Sequence, residues 1–268
     1  LIGLKELYGS SVVDYTKQSH NYTSHDPNDI KRFWGQGMTV TRVLPDLDVD
    51  RTNITDRIKN SFYDLVVYGS IWRCDSYIEE ILKYYPPHKV VAVDGEDHTS
   101  IHQCINLNVQ YFKRELVYNT NKIQPIWFAL PTSKISSNTK KIKDLAHINP
   151  LDRSTYIYDN EKDYYNDYKE ARFAITLKKA GWDCMRHYEI MGNECIPYFI
   201  ELEKCPPRTM VSFPKQEIIE VFHKLNAKES PQAVYELYKE KVLSVFNEKL
   251  TTKALAKYFI ETVLNEKP

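Results

Sequence analysis

The apolar positions of this chain fall into two alternating patterns. Residues 63–68 and 89–94 are short runs rich in valine, closed by Gly69 and Gly95. Runs of that kind predict strands buried on both faces. Between them, Tyr77, Ile78, Ile81, Leu82 and Tyr85 recur at helical spacing until Pro86 and Pro87 stop the pattern. A further helix is expected at 100–106 and a further strand at 110–114. Upstream, 1–7 reads as a helix, 11–15 as a strand, 38–44 as extended chain and 53–60 as a polar helix. Strand, helix and strand in this rhythm predict a parallel sheet with covered faces.

Residues 118–140 break the rhythm, with an apolar stretch at 123–131 flanked by Asn, Thr and Ser. This stretch reads as the crossing between two lobes. Beyond it, strands are expected at 154–158, 172–177 and 196–200, and helices at 162–170 and 183–192. From 215 onward the pattern is helical, over 216–226, 231–249 and 251–265. The expected architecture is α/β: two Rossmann-like lobes, residues 1–122 and 123–268, with a helical C-terminal tail packing back across them.

Composition narrows the classes. In 268 residues, 42% hydrophobic and 13% aromatic content supplies a substantial core and argues against disorder. Lys+Arg and Asp+Glu are equal at 36 each, which removes generic nucleic-acid binding from the expected functions. A run of about 18 apolar residues, the length of a membrane span, does not occur. Five irregularly spaced cysteines without a Cys-x-x-Cys pair read as reduced thiols in a cytoplasmic setting, with no structural zinc. A nucleophile elbow, a Walker A loop and a Gly-x-Gly-x-x-Gly turn are all absent from the sequence.

The densest chemistry lies at 178–191. On a helical wheel Cys184, Met185, Tyr188 and Met191 share one arc, and Asp183, Arg186, His187 and Glu189 the other. Lys178, Lys179 and Gly181 lead into that helix. Free backbone N–H groups at its start, with two lysines, suit a phosphate. Arg186 adds a forked donor, and Glu189 can accept from a ribose diol. The plainer alternative is an amphipathic helix with its polar arc in solvent. In the first half, Asp94, Glu96, Asp97 and His98 follow a predicted strand, at the edge where parallel sheets bind ligands. They are candidates for a general base, a metal site or a capped turn. Gly69, Ser70, Lys113 and Arg114 close neighbouring strands and are candidate crevice residues. Asp46, Asp48 and Asp50 imitate an Asp-x-Asp metal motif, but no apolar strand leads into them.

The run Gly181-Trp182-Asp183-Cys184-Met185-Arg186-His187-Tyr188-Glu189-Ile190, followed by Ile196-Pro197-Tyr198-Phe199, resembles the nucleotide-sugar motif of GT-B-fold glycosyltransferases. It is closest to the exostosin-like and CgeB/YkvP-like groups, and Glu203-Lys204-Cys205-Pro206 and Thr209-Met210 extend the likeness. A looser resemblance in the first half rests on Leu7-Tyr8-Gly9, Val12-Val13-Asp14-Tyr15, residues 63–70, residues 94–98 and Tyr111-Phe112-Lys113-Arg114-Glu115. One departure is Glu194, where the family usually has Gly; Asn193 is expected to take the left-handed helix stop instead. Such proteins normally carry one more strand before the first helix, so this chain reads either as having a truncated first lobe or as one domain of a longer multi-domain protein.

The resemblance implies a nucleoside-diphosphate sugar as co-substrate on the second lobe. It would be held by Lys178, Lys179, Gly181, Trp182, Asp183, Arg186, His187 and Glu189, with Glu189 on the ribose. A glycan acceptor would lie near 94–98 on the first lobe, and no metal or cofactor is required. Two alternatives stand beside it. One is a metal-dependent phosphoesterase using residues 94–98, and the other a non-catalytic glycan-binding module.

Overall fold

A computed structural model describes residues 1–265, so the last three positions of the expected 123–268 unit lie outside the described residues. The chain is α/β, with two separate, wholly parallel sheets. It opens with helix α1 (Ile2–Tyr8) and, after a long irregular segment, helix α2 (Ile54–Lys59). The first sheet then forms from β1 (Val66–Tyr68), β2 (Val90–Asp94), β3 (Gln110–Lys113) and β4 (Gln124–Pro125), ordered as in the chain. The one-turn helix α3 (Ile78–Ile81) lies between β1 and β2. The second sheet is β5 (Lys143–Leu145), β6 (Ala171–Leu177) and β7 (Ile196–Ile200), again in chain order. Helix α4 (Glu161–Glu170) precedes β6 and α5 (Met185–Gly192) joins β6 to β7. Helices α6 (Lys215–Asn226), α7 (Pro231–Lys249) and α8 (Thr252–Asn265) complete the chain.

Burial explains the order of these elements. β2 reads Val-Val-Ala-Val-Asp because both its faces are covered. One face of the first sheet packs on Ile71, Ile81, Tyr85 and Leu116. The other, through Val91 and Phe112, packs on Phe259 and Val263 of α8, with the two Phe rings 4.9 Å apart. The C-terminal helix therefore crosses back to cover the first sheet. Helix α1 lies so close to α8 that a Cβ on Gly3 would meet the Thr252 carbonyl oxygen at 1.9 Å. The second sheet has its own core, in which Phe173 and Phe199 meet Tyr188 of α5, Val221 of α6 and Phe246 of α7.

The structure departs from the sequence pattern in several places, among them β4, which pairs with β3 inside the stretch expected to cross between lobes. Residues 11–15 are not a strand. There Asp14 gathers the Gln18 N–H, the Tyr22 hydroxyl and Arg51 at 3.0, 2.8 and 2.6 Å, and this side-chain hub replaces ladder pairing. Residues 38–44 are irregular apart from a single parallel bridge from Leu44 to Tyr22. The expected helix at 100–106 is a 3₁₀ turn, Gln103–Leu107, whose start is capped by the His102 ring. Residues 154–158 are not a strand, because Asp152 caps a 3₁₀ turn at Arg153–Thr155. The strand is β5, whose Lys-Asp-Leu sequence hides at the sheet edge.

Among the described strands, neither sheet reverses its order. A doubly wound sheet makes its ligand crevice where strand order reverses. Here the carboxyl edges of the two sheets are instead tied to each other, by Arg114 and Glu115 after β3 and by Trp182 and Asp183 after β6.

Candidate functional site

At the carboxyl end of β2, Asp94 is fully buried and fully engaged. Its Oδ2 accepts from Tyr111 Oη at 2.6 Å, Lys113 Nζ at 2.8 Å and Trp72 Nε1 at 2.9 Å, and its Oδ1 from the Glu96 N–H at 3.2 Å. Burial alone would raise its pKa, but the donors from Lys113, Tyr111 and Trp72 hold it below the usual carboxylate range. Asp94 is thus an ionised anchor with no surface toward a substrate, and Lys113, also 0% exposed, is its counter-ion. The neighbouring groups are open. Glu96 pairs with Arg73 at 3.1 Å, Asp97 is exposed beside Arg114, and His98 is exposed with its ring 4.7 Å from that of Trp72. Gly69 and Ser70 turn the chain at the end of β1, level with these groups.

Arg114 and Glu115 follow β3 and reach the second sheet. The Glu115 carboxylate accepts from the backbone N–H groups of Trp182 and Asp183, both at 2.9 Å. Gly181 is needed for this approach, since a Cβ there would lie 2.5 Å from Glu115 Oε1. Arg114 donates to the Gly95 and Asp183 carbonyl oxygens and to the Glu115 and Asp97 carboxylates, while its guanidinium lies over the Phe128 ring at 4.6 Å. Glu115 stands in the Tyr111–Glu115 run of the looser resemblance, but nothing near it in sequence marks this role.

Helix α5 starts at Met185, later than expected, because the Asp183 carboxylate is drawn away from capping. It accepts from the Phe128 N–H at 2.7 Å and the Tyr188 hydroxyl at 2.8 Å. Burial pushes Asp183 up to about 6, against the opposing charge of Arg114. His187 is wholly buried. Its Nε2 lies 2.9 Å from the Trp182 carbonyl oxygen, which can only accept, so Nε2 carries the proton and Nδ1 accepts from the Thr176 hydroxyl at 2.9 Å. Burial drives its pKa down to about 3, so the ring is neutral. Glu189 is 7% exposed; it accepts from the Thr39 hydroxyl and, at 2.6 Å, from the Tyr164 hydroxyl. Burial raises its pKa, and Thr39 and Tyr164 oppose the rise.

The polar arc of the wheel is therefore not one open face. Asp183, His187 and Glu189 point into protein, and a ribose reaching Glu189 would have to displace Thr39. What remains at the second sheet edge is Arg186, Lys178, Lys179 and Trp182. Arg186 donates through Nη2 to Tyr156 Oη at 3.0 Å, while among the described residues its Nη1 is buried without a partner. Lys178 is exposed with Nζ 5.8 Å over the Trp182 ring, and Lys179 Nζ is tied to the Pro150 carbonyl oxygen at 2.7 Å.

The loop after α5 also differs from expectation. Asn193 has φ −106°, and Glu194 holds the left-handed position at φ 53°. Its carboxylate offsets that backbone cost by accepting from Thr139 N–H and Oγ1, both at 2.7 Å, and from Asn138 N–H at 3.1 Å. Asp46 and Asp50 are surface-turn residues, bonded to Ser24 and to Thr52 and Arg57.

Two concavities lie off this junction. One of about 610 Å³ is lined by Asp75, Glu79, Glu80, His102, Gln103 and Asn106 among others, and one of about 500 Å³ runs along 136–140 beside α4. Among the described residues, no group of three or more His, Cys, Asp or Glu is placed to hold a metal ion. Among them too, no helix is long and apolar enough to cross a membrane. The chain matches no protein-family model, no curated protein and no solved structure.

Proposed function

We propose that the chain is a GT-B-type glycosyltransferase, moving a sugar from a nucleoside-diphosphate sugar to a glycan hydroxyl. The observation that carries this reading is Arg186. A guanidinium in the first turn of α5 with an N–H that no protein group satisfies suits a phosphate oxygen. It stands within the run that resembles the donor motif of those enzymes. In this reading the two sheets belong to the two lobes, and the donor lies at the second sheet edge. Its diphosphate meets Arg186, Lys178 and the α5 N-terminus, and Trp182 walls the site. The acceptor hydroxyl attacks the anomeric carbon, and the bond to the β-phosphate oxygen breaks. The charge of the departing diphosphate is met by Arg186, Lys178 and the helix end. If the reaction inverts, the acceptor proton passes to Glu96, Asp97 or His98, the open groups of the first sheet edge. Asp94, fully paired, positions them.

Thermal-shift titration with UDP, GDP, CDP, dTDP and ADP, with and without Mg²⁺, tests the reading. Binding to the native state raises the midpoint by mass action. A shift with one nucleotide that Arg186→Met abolishes is expected. No shift with any of them, or one unchanged in Arg186→Met, would overturn it. A second reading, a glycan-binding module without transfer, is favoured by the half-open Trp72 beside the first sheet edge.

A further inference from the structure

Trp72 is 40% exposed, yet its indole is not loose. Nε1 donates to Asp94 Oδ2 at 2.9 Å, and Asp94 is itself locked by Lys113 and Tyr111. The His98 and His102 rings meet the indole nearly at right angles, with centroids 4.7 and 4.9 Å away. A buried ion pair is a weak source of net stability compared with apolar residues of the same volume. What this one does, which apolar residues could not, is accept the indole N–H and fix a large ring at the surface. Along the same edge stand the exposed His98, the exposed Asp97 paired with Arg114, and the half-buried Glu96 paired with Arg73. His102 also lines the concavity of about 610 Å³, whose other polar lining groups include Asp75, Glu79, Glu80, Lys83, Gln103 and Asn106.

We propose that Trp72 is the stacking platform of a saccharide site, with an uncharged pyranose ring on the indole and its hydroxyls bonded to the surrounding carboxylates, carboxamides and imidazoles. The ligand class follows from chemistry. A preorganised indole takes a flat apolar face, and the many acceptors around it take hydroxyl donors. The carboxylates here are matched by Arg73, Arg114 and Lys83, so the edge carries little net charge and suits an uncharged ligand, unlike the second edge with Arg186 and Lys178. The proposal rests on the acceptor side of the reading above and names the residue that would hold the acceptor.

The test uses the tryptophan indole N–H signals of the full chain, which has four tryptophans. The Trp72 signal is assigned by its disappearance in Trp72→Phe. Cellobiose, maltose, lactose and chitobiose are each titrated to tens of millimolar. At least one is expected to move the Trp72 signal and leave Trp127 still, since the Trp127 N–H is sequestered on the Lys249 carbonyl oxygen at 3.3 Å. Saturation transfer to that sugar is expected to vanish in Trp72→Ala. Silence of the Trp72 signal with all four sugars, or undiminished transfer in a folded Trp72→Ala, overturns the proposal. UDP added separately keeps the two readings apart. Sugar binding without nucleotide binding sustains the Trp72 site and removes the transferase; nucleotide binding with a silent Trp72 does the reverse.

Discussion

Two aspartates, each at a sheet's carboxyl edge and each almost wholly buried, have opposite electrostatic fates. Asp94 is held ionised, whereas Asp183 is pushed up to about 6. Exposure does not distinguish them, at 0% and 2%. Their donors do. Asp94 has a lysine ammonium on its carboxylate at 2.8 Å together with hydroxyl and indole donors. Asp183 has one backbone N–H and one tyrosine hydroxyl, and its nearby cation, Arg114, bonds its main-chain carbonyl instead. Burial sets the penalty for charge in both; a cation placed directly on the carboxylate decides whether the charge survives. Asp94 is thereby the centre of a closed network with an aromatic ring on its surface. At the second edge, among the described residues, the Arg186 guanidinium keeps a buried N–H without a partner.

The strongest way to break the comparison is to turn Asp94 into Asp183. Lys113→Met leaves a buried carboxylate without its counter-ion and should cost about 3–5 kcal/mol in urea denaturation. Adding Asp94→Asn in the same chain should recover much of that loss, because the two sites couple directly. Equal losses in the single and double variants would show that the lysine acts by packing alone. Next in size is the tie between the edges. Glu115→Gln replaces two charge-assisted bonds to the Trp182 and Asp183 N–H groups and should cost about 1.5–3 kcal/mol. A loss within about 0.5 kcal/mol, typical of an open surface site, would mean that the tie contributes nothing to stability.

Legibility in the sequence followed the same division. Strands β2, β3, β6 and β7 were visible because parallel strands covered on both faces are apolar runs. β5 was not, because a three-residue edge strand reading Lys-Asp-Leu looks like loop. The wheel of 183–191 located the polar groups of α5 but not their partners. Whether a polar arc meets water or protein depends on residues far away in the chain. Thr39, which covers Glu189, lies 150 residues upstream. Trp72 carries no local pattern, and the run that contains Glu115 does not point to Trp182 and Asp183; the fold alone gives both residues their neighbours.

His187 gives a smaller effect that sharpens the contrast, because its sign can be worked out. Its native pKa, about 3, lies below its ordinary value of 6.5. Between these values the unfolded chain binds more protons than the native one, so stability falls as pH drops below about 6.5. Asp183 works against this, since a raised carboxyl pKa favours the native state on acidification over about pH 6 to 4. Replacing His187 by Gln should therefore flatten the acid-side loss, by about 1.4 kcal/mol per pH unit relative to the parent. Denaturation series at pH 7, 6 and 5 on both proteins would show it. Parallel curves would mean that the ring protonates in place.

The smallest stability effect is expected at Arg186, the residue on which the proposed nucleotide site rests, and that pairing is the test. Arg186→Met removes one hydrogen bond to Tyr156, worth about 1 kcal/mol, and also one buried unpartnered donor, whose presence costs about 1–3 kcal/mol. The two nearly offset each other, so the variant should be as stable as the parent or more so. A residue kept for structure would not behave this way, because losing it would leave its partners unsatisfied and lower the melting point. Arg186 leaves few groups stranded, since its own Nη1 is the stranded group. Unchanged stability with lost nucleotide binding would mark the guanidinium as held for an anion. A loss above about 2 kcal/mol would instead make Arg186 a structural residue and leave the second edge without its phosphate seat.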